Sequence, residues 1–169
     1  MGEISVRKAA EPDFDFFYSI KCDEDNIYWS GHTLPPPREG LFGFFSSNIQ
    51  NQDVLNKRTI FIVEELADGQ RVGYLYLDPI ETGSAEISIG IMQAFSGQGY
   101  GRQAVCELCD LAYGLGFKKI YAMVREDNLR SQSMFHHAGF EKTHSFRLQY
   151  IQNLNKEIKM LEYKKVFRG

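Results

Sequence analysis

Residues 86–102, EISIGIMQAFSGQGYGR, constrain the fold more than any other part of this chain. An apolar run with β-branched residues leads into Gly97, Gly99 and Gly101, and an amphipathic helical pattern follows. Glycine has no Cβ, so the backbone can turn sharply there and present successive N–H groups to a ligand. A helix that begins at such a turn adds the positive end of its dipole. The stretch therefore predicts a strand, an anion-binding loop and a helix, with phosphate or pyrophosphate as the expected anion.

Length and composition indicate an ordinary globular protein of one domain, spanning residues 1–169. Hydrophobic residues make up 43% of the chain and charged residues 24%, which argues against disorder. The net charge of −3 gives no attraction to nucleic acid or to an anionic membrane. No apolar run approaches the roughly 18 residues that span a bilayer, and the first residues lack the apolar stretch of a signal peptide. We therefore expect a cytoplasmic protein that binds neither nucleic acid nor membrane.

Hydrophobic periodicity predicts a mixed α/β (α+β) domain with a mostly antiparallel sheet of about six or seven strands and about four helices. The predicted strands are residues 4–9, 59–64, 72–77, 85–92, 119–124, 140–151 and 158–167, and the predicted helices are 12–21, 41–49, a segment from the glycines to Gly114, and 129–137. Asp68 and Gly69 mark a hairpin, so the second to fourth strands form an antiparallel meander. A helix between 85–92 and 119–124 predicts one parallel β-α-β crossover. The Pro-rich residues 22–40 are expected to be irregular.

Cys106 and Cys109 form a Cys-x-x-Cys pair inside the helix that follows the glycines. A zinc or redox site is one interpretation, but no second cysteine or histidine pair accompanies them. We interpret both as apolar packing residues and expect no metal site.

The glycine triplet admits three kinds of anion-binding loop. Gly99-x-Gly101-x-x-Ala104 fits a loose dinucleotide-binding pattern, which makes a nucleotide-dependent oxidoreductase one alternative. That fold needs repeated β-α-β units, whereas the chain before the triplet has a mostly antiparallel pattern. A phosphate-binding NTPase loop needs a Gly-Lys-Ser/Thr ending, which this sequence lacks.

The third interpretation of the glycine triplet rests on two motifs that follow each other along the chain. Ser96-Gly97-Gln98-Gly99-Tyr100-Gly101 resembles the Arg/Gln-x-x-Gly-x-Gly/Ala signature of the GNAT family, the acetyl-CoA-dependent N-acetyltransferases, and departs from it at the first position. Downstream, Asn128-Leu129-Arg130-Ser131, then Phe135 and Gly139-Phe140, are similar to the family's Asn-x-x-Ala/Ser, Tyr and Gly-Phe. The order of strands and helices resembles this family across nearly the whole chain. The resemblance implies a GNAT-like single domain that uses acetyl-CoA.

The same resemblance implies where acetyl-CoA would bind. Its pantetheine arm would lie between the parallel strands, held by backbone groups of Ile91 and Met92, with its pyrophosphate on the amides of residues 98–102. The implied cofactor-binding residues are Ile91, Met92, Gln98, Gly99, Tyr100, Gly101, Arg102, Asn128, Ser131 and Phe135. For Asn128 the alternative is an N-cap of the short helix, which is compatible with a cofactor contact.

The implied reaction is attack of a neutral amine on the thioester, which needs a base and a group that protonates or stabilises the leaving thiolate. Glu86 is the predicted catalytic base, and a solvated strand residue is the alternative, since alternation places it on the face opposite Ile87 and Ile89. Phe135 stands where many family members carry a tyrosine hydroxyl. The donor is then Ser133, His136 or a tyrosine from elsewhere, unless CoA leaves as a stabilised thiolate.

Tyr28, Trp29 and His32 are the predicted substrate-binding residues, because the matching region varies among family members. An aromatic pair beside small polar residues could clamp a planar or sugar ring. A lid over the core is the alternative for Trp29. The segment NIYWSG resembles acetyltransferases that act on nucleotide-linked amino sugars, and peptide N-termini and small polyamines remain open as acceptors.

The expected function is acetyl transfer from acetyl-CoA to a primary amine of a small molecule or of a peptide N-terminus. The alternative from another class is a non-catalytic, regulatory CoA-binding module, which Phe135 in place of tyrosine motivates. A homodimer through the C-terminal strands is left open.

Overall fold

A seven-stranded sheet forms the centre of the computed structural model, which describes residues 2–54 and 56–168. The strands are β1 (Ile4–Lys8), β2 (Thr59–Glu65), β3 (Arg71–Glu81), β4 (Ser84–Ile91), β5 (Lys119–Arg125), β6 (Glu141–Ile151) and β7 (Lys156–Val166). Their order in the sheet is β1-β2-β3-β4-β5-β7-β6, and β4 and β5 pair in parallel while the other neighbours are antiparallel. The predicted mixed, mostly antiparallel sheet with one crossover is therefore confirmed.

Within the described residues, five α-helices accompany the sheet, one more than the sequence predicts. They are α1 (Phe14–Lys21), α2 (Glu24–Trp29), α3 (Arg38–Asn51), α4 (Tyr100–Gly114) and α5 (Leu129–His137). The prediction of an irregular segment at 22–40 is wrong for α2. Asp23 occupies the extended N-cap position of this helix, and Glu24 and Asp25 favour its first turn because they face the positive end of the dipole. None of the described helices is long and apolar enough to cross a membrane.

Two apolar clusters pack on the two faces of the sheet. Helix α4 places Ala104, Leu108 and Cys109 against one face, whereas α1 and α3 place Phe17 and Phe45 against the other. Burial raises the pKa of the Cys109 thiol to about 12, so it stays protonated near neutral pH. Cys106 packs at the edge of the same cluster. The interpretation of the two cysteines as packing residues is confirmed.

The sheet splits open between β4 and β5. The two strands pair at Ser84, Ala85 and Glu86, and the pairing ends there although β4 continues to Ile91. Beyond this point the facing edges of the two strands are free for other groups. Helices α4 and α5 lie on one face of the sheet, and α1 and α3 lie on the other. A ligand in the split can therefore contact groups on both faces.

A buried carboxylate ties the start of α1 to the sheet. Asp13 is 1% exposed, and its oxygens lie 2.8 and 2.9 Å from two nitrogens of Arg7, 2.9 Å from Arg71 and 2.8 Å from the N–H of Ala10. Burial alone would raise the pKa of Asp13, but the bonds from Arg7 and Ala10 and the two arginine charges outweigh it and lower that pKa. The carboxylate is therefore ionised in the folded protein at neutral pH.

Candidate functional site

The glycine loop has the conformation that the sequence predicts. A turn of 3-10 helix, Gln93–Phe95, follows β4, and Gly97 and Gly99 have φ angles of 75° and 85°, a region that favours glycine. Gly99 is the N-cap of α4, which begins at Tyr100. Among the described residues, no hydrogen-bond acceptor faces the backbone N–H groups of 98–102. Five amides are thus free at the positive end of a 15-residue helix.

A cavity of about 370 Å³ lies against this loop, and we call it the loop-side cavity. Its walls come from the end of β4, from α4 and from α5. Representative lining residues are Ile91, Gly99, Gly101, Arg102, Asn128 and Met134. The free amides of the loop and the open edge of β4 therefore bound one space, which suits an anionic ligand with an extended arm.

A second cavity of about 290 Å³ lies on the opposite face of the sheet, and we call it the sheet-side cavity. Lining residues include Trp29, Tyr74, Ser88, Met123, Gln149 and Met160. Five residues line both cavities: Asn26, Trp29, Ile89, Asn128 and Ser131. The two cavities therefore adjoin at the split between β4 and β5, and two ligands could meet there from opposite faces.

Ile91 and Met92 have different environments, although the resemblance implies the same role for both. The N–H of Met92 donates to the Val72 carbonyl at 2.9 Å, and the Met92 carbonyl accepts from Phe95 at 2.9 Å. Antiparallel pairing alternates along a strand, so the backbone groups of Ile91 point away from β3 and toward the split. Met92 has both backbone groups bonded within the protein, and its side chain packs on the α1 and α3 side. Its predicted cofactor contact stays a prediction that these internal bonds do not favour, whereas Ile91 lines the loop-side cavity.

Tyr100 and Gln98 can contribute to a ligand site through their backbone. The Tyr100 ring is buried, and its hydroxyl donates to Glu65 at 2.6 Å. The Gln98 side chain donates to the Ala94 carbonyl at 3.3 Å, outside the cavity lining. The side chain of Arg102 is exposed and lies on the wall of the loop-side cavity.

Asn128 caps α5, as the alternative interpretation predicts. Its side-chain oxygen accepts the N–H of Ser131 at 3.1 Å, which leaves the amide nitrogen directed to other partners. Asn128 and Ser131 both lie at the junction of the two cavities. Phe135 is 3% exposed, packs edge-on against Phe140, and lines the sheet-side cavity but not the loop-side one. Its predicted contact with the cofactor stays a prediction, and the cavity that Phe135 borders is the sheet-side one.

Three groups were expected as proton donors in place of a tyrosine at Phe135. Ser133 lines the loop-side cavity and bonds to the His137 ring. His136 is exposed and lines neither cavity. The tyrosine on the wall of the sheet-side cavity is Tyr74, whose hydroxyl oxygen accepts a hydrogen bond of 2.8 Å from the Lys21 ammonium.

The predicted base, Glu86, lies beside the sheet-side cavity. Its side chain is 25% exposed and forms an ion pair of 3.0 Å with Arg147. It lines neither cavity, but it shares a strand face with Ser88, about 7 Å along β4. Ser88 does line the sheet-side cavity. Glu86 could therefore act on a ligand there through water, after loosening its contact with Arg147.

Of the three predicted substrate-binding residues, Trp29 lines both cavities. The exposed Tyr28 packs edge-on against it at 4.8 Å, and both rings lie over the buried guanidinium of Arg125. Tyr28 and His32 line neither cavity, and their backbone carbonyls accept from Asn153. The predicted substrate contacts of Tyr28 and His32 therefore stay predictions, and His32 lies beyond the end of α2 at Trp29.

The sequence prediction placed Asn26 in the loop expected to decide substrate choice without giving its side chain a role, and it missed Ser88, Met123, Gln149 and Met160 as cavity residues. Alternation along β4 places Ser88 on the same face as Glu86, so that residue could have been found from the sequence. The methionines and Gln149 come from β5, β6 and β7, whose approach depends on the order of strands in the sheet. No local signal marks them.

Solved acetyltransferases have the same fold as this chain. The spermidine N-acetyltransferase of Vibrio cholerae, in complex with CoA and spermine, aligns with a TM-score of 0.83 at 16% identity, covering 97% of this chain and 95% of its own. The ribosomal-protein-alanine N-acetyltransferase of Brucella melitensis aligns with a TM-score of 0.77 at 21% identity, covering 96% and 99%. These identities are low, so the similarity establishes the fold.

Sequence comparison gives one relative and one family. The uncharacterized protein MJ1062 of Methanocaldococcus jannaschii is 32% identical over 85 residues, which cover 50% of this chain and 18% of that protein. A family model described as an acetyltransferase (GNAT) domain matches residues 4–141, a range that includes the split, the glycine loop and α5. The chain therefore belongs to the GNAT acetyltransferase family.

Proposed function

We propose that this protein transfers the acetyl group of acetyl-CoA to a primary amine. The observation that carries the proposal is the row of free amides at 98–102, which opens on a cavity that adjoins a second one through the split sheet. The pyrophosphate of CoA would bind these amides, and the pantetheine arm would follow the N–H of Ile91 toward Asn128 and Ser131. This arrangement brings the thioester to the junction, where an amine can attack it from the sheet side.

The sheet-side cavity supports an acceptor whose part inside the cavity is neutral away from its amine. Among the described residues that line it, none is Asp or Glu, and the buried guanidinium of Arg125 is already paired with Asp127. A polyamine needs carboxylates to compensate its several positive charges, so this wall does not favour one. Trp29 offers an aromatic face for a planar or sugar ring. We infer a small-molecule amine, with a nucleotide-linked amino sugar as the leading class and a peptide N-terminus as the second.

An amine panel tests this function. Purified protein and acetyl-CoA are mixed with a nucleotide-linked amino sugar, a peptide with a free N-terminus, or spermidine, and release of free thiol is followed. We expect turnover with the amino sugar at the highest kcat/KM and the lowest with spermidine. CoA binding without thiol release from any amine would instead identify a non-catalytic CoA-binding module. Binding of NAD in place of CoA would identify the oxidoreductase alternative.

Glu86→Gln tests the proposed base. We expect the change to lower kcat by about a hundredfold, because general-base catalysis by one positioned side chain contributes at least this much. The affinity for acetyl-CoA should stay unchanged, since Glu86 lies outside the loop-side cavity. Glu81→Gln, at an exposed position near the end of β3, is the matched control. Equal kcat values for wild type and Glu86→Gln across the pH range would remove Glu86 from the mechanism.

A further inference from the structure

Asn26 lies where the two cavities adjoin. Its hydrogen-bond partners fix which way its side-chain amide is oriented. Its amide nitrogen donates to the Ile91 carbonyl at 3.1 Å and to a carboxylate oxygen of Asp23 at 3.2 Å. Both partners are acceptors, so the reversed amide would set oxygen against oxygen at both contacts. The nitrogen must therefore face Ile91 and Asp23, and the side-chain oxygen must face the other way.

That oxygen, Oδ1, lies over the backbone of Gly90. A Cβ atom built on Gly90 would come within 2.7 Å of Oδ1 and within 2.4 Å of a ring carbon of Tyr74. Only glycine leaves room for Asn26 and the Tyr74 ring at this height above β4. Among the described residues, no donor makes a hydrogen bond to Oδ1. A positioned acceptor without a donor thus stands beside the open strand edge.

Helix α2 is attached to both sides of the split, which keeps Asn26 in place. Asp23 accepts the N–H of Gln93 at 2.6 Å, on the β4 side. Asp25 forms an ion pair of 3.2 Å with Arg130 of α5, on the β5 side. The position of Oδ1 therefore depends on contacts to both walls and does not need a bound ligand to form.

We propose that Asn26 Oδ1 accepts a hydrogen bond from the attacking amine and so aims its lone pair at the thioester. The inference rests on the proposed function and adds a catalytic residue to it. A neutral primary amine has two N–H groups, of which one would bond to Oδ1. As the C–N bond forms and the C–S bond breaks, the electron pair leaves with sulfur, and the other N–H proton passes through water to Glu86. The amide itself takes no proton, so Asn26 selects and orients the amine.

Asn26→Ala tests the proposal with the panel amine of highest kcat/KM. We expect kcat/KM to fall about tenfold to a hundredfold, because a hydrogen bond and the attack geometry are both lost. Calorimetry should give an acetyl-CoA Kd close to that of wild type. Asn48→Ala, on α3 and outside both cavities, is the matched control and should leave kcat/KM unchanged. Wild-type kcat/KM in a folded Asn26→Ala protein would overturn the proposal.

A second measurement separates orientation of the amine from the shape of the cavity. The inhibitor is an analogue of the same amine in which a methyl group replaces the amino group, so it has no N–H to donate. Its Ki should be the same for wild type and Asn26→Ala. A Ki that rises in parallel with the loss of kcat/KM would overturn the proposal. If wild type acetylates no amine, the proposed function itself fails, which is a distinct result.

Asn26→Ser covers the case in which Asn26→Ala does not fold. Serine keeps a small polar side chain on α2 but cannot reach both Ile91 and Gly90. The same loss of kcat/KM with the same unchanged Ki is expected for it. Wild-type kcat/KM in a folded Asn26→Ser protein would overturn the proposal.

Discussion

Gly101→Glu is expected to weaken binding of CoA by about a hundredfold and to abolish acetyl transfer at ordinary cofactor concentrations. A Cβ on Gly101 would lie 3.8 Å from side-chain atoms of Ile91 and Met134 and 3.9 Å from Ile89, which is ordinary van der Waals contact. The fold should therefore tolerate the residue. The rest of the glutamate side chain would enter the loop-side cavity, where its charge opposes the pyrophosphate that the free amides of 98–102 would bind.

Isothermal titration calorimetry with CoA measures this effect. Gly114→Glu adds the same charge at the exposed far end of α4, where nothing lies within 4 Å of a new Cβ, and should leave the CoA Kd unchanged. Gly101→Ala should have a small effect, because the methyl group fits. Wild-type CoA affinity in Gly101→Glu would show that the cofactor does not use this cavity.

The sequence was most informative where one local pattern decides the structure. The strand, the glycine loop and α4 were predicted together because period-two alternation, residues with positive φ and a helical repeat follow one another within residues 86–114. Gly97 and Gly99 adopt positive φ angles, which glycine allows without steric strain. A turn at these residues could therefore be predicted from the residue type alone. The resemblance to the acetyltransferase family, and not this pattern, placed Ile91 and Met92 beside the cofactor. Ile91 lines the loop-side cavity, whereas Met92 follows the end of the strand, where the chain turns.

The acceptor side could not be predicted in the same way. The run of three prolines at 35–37 led to an irregular prediction for all of 22–40, which concealed α2, although Asp23, Glu24 and Asp25 form an acceptable helix start. Which face of such a short helix meets the sheet is decided by tertiary contacts. The prediction therefore chose the aromatic residues Tyr28 and Trp29, whereas Asn26 is the polar side chain that reaches β4.

The two cavities also explain why the two halves of the site differ in predictability. The anion-binding wall of the loop-side cavity is formed by one continuous stretch, residues 95–102, so its chemistry follows from glycine positions and a helix start. The sheet-side cavity is bounded by side chains from seven elements that are distant in sequence: α2, β3, β4, β5, α5, β6 and β7. Each of those side chains is an ordinary strand or helix residue in sequence. Acceptor choice can therefore change through single substitutions that leave the cofactor half intact.

Asp13→Asn is expected to lower the free energy of unfolding by about 3 kcal/mol and Tm by about 6–12 °C. The change keeps the shape of the side chain but leaves the charges of Arg7 and Arg71 beside a neutral amide, whose nitrogen also cannot accept the N–H of Ala10. The expected loss in the free energy of unfolding is at the low end of the range for breaking a buried ion pair, because both arginines are more than a third exposed. Asp15→Asn, at an exposed carboxylate paired with Arg38, should cost less than about 1 kcal/mol.

The effect of Asp13 should depend on pH with a definite sign. Its pKa is lower in the folded protein than in the unfolded chain, so its contribution is complete above the unfolded value, about 4. It is lost as the pH falls through the folded pKa, because the folded protein must then bind a proton. Urea unfolding at pH 7 and at successively lower pH should therefore show the difference between wild type and Asp13→Asn shrinking on acidification. A difference that stays constant down to the lowest pH at which both proteins fold would mean that the charge of Asp13 does not account for the stability lost in Asp13→Asn.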